Sequence, residues 1–136
     1  MPAPEAPAGS ARAPGGSRVL VFGSGRRRLA LDLADVSGLV EAGSAVPVPL
    51  APDFVVGLLD RRGSVLAVLD LARLLGDGGG PPAPFVVRLA PPWDHLALQV
   101  TEPVRIARPG EEREAEPLEA SSLVARIQSA LPPARS

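Results

Sequence analysis

The sequence predicts a small, mostly β domain of barrel or sandwich type. Three observations support that fold class: short apolar runs recur along the chain, glycine and proline turns separate them, and one helical stripe lies near the C-terminus. Many short strands with frequent turn signals are typical of small barrels and sandwiches. A chain of 136 residues, 46% of them hydrophobic, is long enough for one such domain with a hydrophobic core.

Composition narrows the classes of function. The 14 basic and 15 acidic residues nearly cancel, so no general attraction to nucleic acid or anionic lipid is expected. The lack of cysteine excludes disulfides and thiolate chemistry, and a single histidine cannot form a metal site alone. No apolar run approaches the roughly 18 residues that span a bilayer. We therefore expect a cytoplasmic protein with protein partners, and with no cofactor, metal or membrane insertion.

The chain divides into three segments. Residues 1–17 contain mainly Pro, Ala, Gly and Ser, and they carry no large apolar side chain after Met1, which predicts a disordered leader. Residues 18–131 contain all the apolar runs and form the expected domain, and residues 132–136 form a short tail. The predicted strands are, in chain order, residues 18–22, 29–33, 54–59, 65–71, 85–89 and 96–100, with a shorter candidate at 104–107.

The segments between the strands have their own signals. Prolines within residues 45–52 confine that segment to a sheet edge or to a connection, and residues 76–84 read as a loop. Residues 109–116 are polar and predict a solvated connection. A single helical turn is expected at 71–75, ending at Gly76.

A C-terminal helix is predicted within residues 117–131. Leu123, Ile127 and Leu131 recur at a spacing of four, which places them on one helical face. Ser121 or Ser122 is the expected N-cap, and the helix should stop at the prolines that begin at residue 132.

The two central runs, residues 54–59 and 65–71, are most simply a β-hairpin made of two buried strands. Asp60, Arg61, Arg62, Gly63 and Ser64 separate them, and Gly63 can adopt the positive φ that a tight turn requires. A rigid turn that presents an acid and two arginines is a suitable place for a functional site.

Evidence for catalysis is weak. Asp32, Asp60, Asp70 and His95 are the titratable groups beside the apolar runs, and a small Asp-dependent hydrolase is the enzymatic alternative. None of the aspartates lies in a recognisable catalytic sequence, and Asp32 and Asp70 are better explained as caps of the turns that follow them. His95 has no accompanying nucleophile or second ligand, so we expect a solvent-facing residue.

The central tract resembles a known family. It contains a proline-bounded lead, Pro49-Leu50-Ala51-Pro52-Asp53-Phe54, then Val56-Gly57-Leu58-Leu59-Asp60-Arg61-Arg62-Gly63 and an apolar strand that ends Val68-Leu69-Asp70-Leu71. This order resembles the CheW family of chemotaxis coupling proteins, in which the tract reads Gly-Val-Ile, Asn-Leu-Arg-Gly and an apolar strand ending Pro-Val-Ile-Asp-Leu. The resemblance extends over roughly residues 18–107.

The resemblance implies an all-β, CheW-like fold with two small SH3-like five-stranded β-barrels side by side and a C-terminal amphipathic helix. It also implies a non-catalytic adaptor that couples the cytoplasmic tips of methyl-accepting chemoreceptors to a CheA-type histidine kinase, at membrane-associated receptor arrays. The positions that match the receptor-binding groove are Val36, Gly57 and Arg62, with Asp60 and Gly63 shaping the turn. The kinase contact would use one end of the second barrel, within residues 40–100.

Two departures from the family qualify these expectations. The family's Asn-Leu-Arg-Gly is here Asp60-Arg61-Arg62-Gly63, which makes the turn more polar. Residues 109–136 are too short and too polar to supply the family's further hairpin, so the first barrel is expected to be open, patched by the helix, or completed by a partner chain. The alternative function is therefore a divergent accessory protein that binds only the receptor or only the kinase.

Overall fold

The computed structural model describes residues 18–43, 45–77 and 81–131, so the predicted leader and tail lie outside the described residues. The elements are β1 (Val19–Ser24), β2 (Arg27–Asp32), β3 (Val36–Glu41), β4 (Val55–Arg61), β5 (Ser64–Asp70), α1 (Leu71–Leu75), β6 (Pro82–Leu89), β7 (Leu96–Ala107), β8 (Ala115–Leu118) and α2 (Ala120–Ala130). The fold is mostly β, as the sequence predicts, and its strands form two barrels.

Strand β7 is the element that the two barrels share. Its first half, residues 96–101, pairs with β5 on one side and with β6 on the other. Its second half, residues 104–107, pairs antiparallel with β1. At 12 residues it is twice as long as β1 or β2, because it forms part of the wall of both barrels.

The second barrel has the five strands that were expected. Its order is β3, β6, β7, β5 and β4, and it closes where Val46 lies opposite Leu58. The backbone of Val46 donates to Leu58 over 2.7 Å and accepts from Leu58 over 2.8 Å. The proline-rich segment thus contributes one bridge to the sheet, which agrees with its predicted place at an edge. The core of this barrel consists of Val40, Leu59, Leu66, Val68, Val86 and Ala97.

The first barrel contains four strands among the described residues, in the order β7, β1, β2 and β8, so it is incomplete, as the departures from the family predict. Helix α2 follows β8 and buries Leu123, Val124 and Ile127 in the larger core, beside Leu20 and Phe22. The helix thus patches this barrel, which is one of the three alternatives that the sequence leaves open.

The predicted aspartate caps and the glycine end of α1 are confirmed, but the predicted serine cap of α2 is wrong. Asp32 and Asp70 cap the turns that follow them, by accepting from the backbones of Ala34 and Arg73, and Gly76 ends α1 in a left-handed conformation. The serine caps are wrong: α2 begins at Ala120 after Glu119, and Ser121 and Ser122 lie inside its first turn. Strand β8 also begins at the end of the segment predicted as a solvated connection.

A polar cluster joins the two barrels. The hydroxyl of Ser24, which is fully buried, donates to Oδ2 of Asp77 over 2.6 Å. Nε of Arg27 lies 3.0 Å from Oδ1 of the same carboxylate, and Nη1 of Arg27 donates to Glu116 over 3.0 Å. Asp77 follows α1, which comes directly after β5 of the second barrel. Its partners belong to strands of the first barrel, so one carboxylate links the two barrels.

We expect Asp77→Ala to lower the free energy of unfolding by about 2 kcal/mol, because it leaves a buried hydroxyl without its acceptor and Arg27 without one of its two acids. Urea denaturation followed by circular dichroism measures the change. Asp53→Ala is the matched control: Asp53 lies 3.6 Å from Arg73 in an exposed pair, which should contribute less than about 1 kcal/mol. Equal losses for the two variants would contradict a structural role for the cluster.

Candidate functional site

The tip of the β4–β5 hairpin is a rigid two-residue turn. Arg61 pairs with Ser64, which leaves Arg62 and Gly63 as the turn residues, with φ of 52° and 85°. Positive φ at both positions is the signature of a type I′ turn, whose twist matches that of the flanking strands. Oδ1 of Asp60 accepts from the backbone of Gly63 over 3.2 Å, so the acid supports the turn, as the resemblance implies.

The tip carries two exposed guanidinium groups. Arg61 and Arg62 are both exposed, and no acidic oxygen of the described residues lies within ion-pair distance of either. The other dense run of arginines differs: Arg27 pairs with Asp77 and Glu116, and Arg28 lies 3.9 Å from Glu112. The hairpin tip is therefore a basic site whose charge is not neutralised within the described chain.

An apolar strip lies on the outer face of the same hairpin. Val46, Leu58 and Val65 are 65%, 40% and 56% exposed; we call these three residues the outer strip. Val46 lies directly opposite Leu58, and Val65 is a diagonal neighbour of Leu58 across the β4–β5 ladder, so the three side chains share one face. The sequence predicts both runs as buried strands, and for Leu58 and Val65 that prediction is wrong. Phe85, which begins another predicted strand, is 38% exposed.

Gly57 has a structural role that the sequence does not reveal. It is buried in β4 with φ of 156°, beside the seam that closes the second barrel. A Cβ at this position would overlap the carbonyl oxygen of Val46 and lie 2.7 Å from its carbonyl carbon. Only glycine allows the two backbones to approach this closely, so Gly57 is required for closure.

The five predicted site residues do not form one cluster. The hairpin turn brings together Asp60, Arg62 and Gly63. Gly57 lies five residues before Arg62, which at 3.3 Å per residue of strand places it roughly 16 Å from the tip. Val36 begins β3, pairs with Leu89 and packs half-buried against the larger core. The structure therefore places Val36 and Gly57 in the barrel wall. Their part in partner binding stays a prediction.

The candidates for catalysis are dispersed. Asp32, Asp60 and Asp70 lie at three different turns, and each accepts a backbone hydrogen bond there. His95 is exposed, as expected. No group of three or more metal-binding side chains occurs within residues 18–43, 45–77 and 81–131. Over the same ranges, no helix has the length and apolar character needed to cross a membrane. The candidate catalytic residues therefore do not form a common site, and the hairpin surface is the remaining candidate site.

Two β-barrels that share a long strand, with a basic hairpin tip on the second, define the class: a two-barrel β domain with an exposed basic hairpin. Residues 18–131 match the CheW-like domain. A solved structure described as the scaffolding protein TtCheW from Thermoanaerobacter tengcongensis superposes with a TM-score of 0.62 at 22% identity, covering 68% of this chain and 61% of that one. The chain belongs to the CheW-like domain family.

Two relatives share part of the sequence. Protein FrzA of Myxococcus xanthus is 40% identical over 57 residues, which are 42% of this chain and 36% of FrzA. Chemotaxis protein CheW of Thermotoga maritima is 34% identical over 58 residues, which are 43% of this chain and 38% of that protein. The matched segments thus span little more than a third of each relative.

Proposed function

We propose that this domain is a non-catalytic adaptor that couples the cytoplasmic tip of a methyl-accepting chemoreceptor to a CheA-type histidine kinase, in the cytoplasm at receptor arrays. Membership of the CheW-like family and the likeness to a chemotaxis protein support this function. The observation that carries the proposal is the hairpin tip, where two arginines with no acidic partner among the described residues lie on a rigid turn beside an apolar strip.

The tip suits a helical partner for physical reasons. A guanidinium can donate two parallel hydrogen bonds to a carboxylate, and it can also bind the unpaired carbonyls at the C-terminal end of a helix. Because the type I′ turn and Asp60 hold the backbone in place, little entropy is lost when a partner binds. A helical hairpin with acidic residues and an apolar face would contact both Arg62 and the outer strip.

The dispersed aspartates favour an adaptor over the enzymatic alternative. Asp60 and Asp70 each use a carboxylate oxygen to hold a turn, and the second oxygen of Asp70 accepts from Gln99 over 3.4 Å. Catalysis by a carboxylate pair needs two groups that face one substrate. Asp60 lies in β4 beside the hairpin turn, opposite Val65, whereas Asp70 ends β5 at the other end of the hairpin, which does not provide that arrangement.

A second candidate is the accessory protein that binds only the receptor or only the kinase. The four-stranded first barrel favours it, because a surface that a fifth strand would form is missing from the described chain. Co-sedimentation with a receptor fragment and, separately, with the kinase regulatory domain distinguishes the two functions. Binding to both supports the coupling function, and binding to one supports the accessory function.

We expect Arg62→Asn to weaken receptor binding by about tenfold or more, since a hydrogen bond to a charged group contributes roughly 1.5–3 kcal/mol. Asparagine tolerates positive φ, so the variant removes the guanidinium without disturbing the turn. Titration calorimetry or co-sedimentation with a receptor-tip fragment measures the affinity.

The control is Arg26→Asn, which removes an exposed arginine from the turn between β1 and β2. It should leave the affinity unchanged. Unaltered binding by folded Arg62→Asn would show that the receptor site lies elsewhere, and a loss in both variants would indicate a general effect of charge.

A further inference from the structure

The second half of β7 has an edge with no neighbouring strand. Residues 104–107 pair with β1 on one side, and no described strand pairs with them on the other. Strand β6, which occupies that side earlier along β7, reaches only as far as Thr101. Sheet edges with free peptide groups bind further strands unless they are covered, so this edge is a candidate interaction surface.

The hydrogen-bond pattern identifies which residues face the open side. The backbone of Leu33 donates to Arg18, and peptide groups alternate in direction along a strand. The peptide groups of Leu20 and Phe22 therefore point to β2, whereas those of Val19 and Val21 point to β7. Their partners on β7 are Ala107 and Arg105. Val104 and Ile106 consequently direct their N–H and C=O groups to the open side.

The same two residues carry apolar side chains on the core side of the sheet. Ile106 lies opposite Leu20, a core residue that is 2% exposed, yet Ile106 itself is 57% exposed. Val104 packs half-buried against the larger core. Ile106 is exposed because the barrel lacks a strand beyond it, so a strand added at this edge would cover it.

The remaining segments of the chain are unsuited to this role. Residues 1–17 and 132–136 contain no large apolar side chain apart from Met1, so neither offers a side chain to pack on Ile106. A second copy, by contrast, offers Val104 and Ile106 of its own edge.

We propose that a second copy of this chain covers the edge, with the two β7 strands antiparallel about a two-fold axis at Arg105. In this register Val104 of each copy lies opposite Ile106 of the other, and their free peptide groups bond to each other. The regular ladder of this part of β7 begins at Val104, because its register against β1 shifts between Phe22 and Gly23. The edge is thus complementary to itself in apolar contact and in peptide hydrogen bonds.

The axis also brings the two Arg105 side chains together on the outer face, where like charges would repel. Each is already neutralised, because Arg105 donates to Oε2 of Glu112 through Nε over 3.1 Å and through Nη2 over 2.7 Å. These hydrogen bonds hold the pKa of Glu112 below its ordinary value, so the pair is ionised at neutral pH and is lost when acid protonates the carboxylate.

The interface is small. One strand edge buries less than the roughly 1,200 Å² of a stable complex, so the dimer should be weak and its population should depend on concentration. Sedimentation velocity of the full chain from about 10 µM to 1 mM should therefore show a rising sedimentation coefficient. A coefficient that stays at the monomer value over this range overturns the proposal.

A substitution on the edge tests the register. Ile106→Arg replaces the apolar side chain that lies opposite Val104 of the other copy by a charged one, and it should weaken association about fivefold or more. Arg126→Glu, on the exposed side of α2, is the control and should have no effect. Unchanged association of a folded Ile106→Arg protein would overturn the register.

Crosslinking gives an independent test because the chain has no cysteine. Opposed residues whose peptide groups point away from each other have Cα atoms about 4.5 Å apart, which suits a disulfide. With oxidised glutathione, Arg105→Cys should form a covalent dimer, whereas Ser37→Cys on β3 should remain monomeric. Equal crosslinking of both, or of neither, overturns the symmetric pairing. Because no receptor or kinase takes part, the outcome is independent of the proposed function.

Discussion

Gly57→Ala is expected to destabilise the second barrel by about 3 kcal/mol, because the new Cβ overlaps the backbone of Val46 and because alanine rarely adopts the φ of Gly57. The added methyl group meets the carbonyl of Val46, so the Val46–Leu58 bridge must separate and the barrel seam must open. The loss is a large part of the roughly 5–15 kcal/mol that stabilises a typical domain. Urea denaturation measures it, and hydrogen exchange at the amide of Leu58 reports opening of the seam directly.

Gly38→Ala is the matched control. Gly38 also lies in a strand of the second barrel, but a Cβ there meets nothing within 4 Å. This variant should stay within about 0.5 kcal/mol of the parent. If both variants lose the same stability, the cause is the general effect of substituting a strand glycine. Slow hydrogen exchange at the amide of Leu58 in a folded Gly57→Ala protein would contradict the requirement for glycine at the barrel seam.

Leu123→Ala should lower the free energy of unfolding by about 3 kcal/mol, the usual cost of truncating a fully buried leucine. Leu123 is 1% exposed and contacts the core that the four strands of the first barrel leave uncovered. A loss of this size would show that α2 acts as part of the barrel wall. The measurement is again denaturation, with far-UV circular dichroism as the probe.

Arg126→Ala provides the comparison on the same helix, since Arg126 is exposed. Alanine favours helix slightly more than arginine does, so this variant should be close to neutral. A small effect of Leu123→Ala, under about 1 kcal/mol, would mean that the helix is loosely attached and that the first barrel is stabilised in another way.

The central hairpin could be predicted from the sequence because its signals are local. Two apolar runs, a glycine in the turn and an acid placed to hold it specify β4 and β5 to within a residue or two. Gly76 and Asp70 specify α1 in the same way. The positive φ of Arg62 was not predicted, because arginine seldom adopts that conformation and the match to strand twist decides it here.

Features that depend on the rest of the fold could not be read from the sequence. Strand β8 has the sequence Ala-Glu-Pro-Leu, which is a poor strand by propensity, and it is extended because β2 pairs with it. The exposure of the Leu58 and Val65 side chains could not be predicted for a related reason. Continuous apolar runs do not show which face is buried, and only the closed barrel places these two residues in the outer strip.

The long strand β7 affects how any mutational study of this protein should be interpreted. Because one uninterrupted stretch of chain forms part of both barrels, neither barrel can unfold while the other keeps its full wall. We therefore expect the domain to melt in a single cooperative step. Damage in one barrel then reaches surfaces on the other, so a lost interaction locates a contact only when the melting temperature of the variant is unchanged.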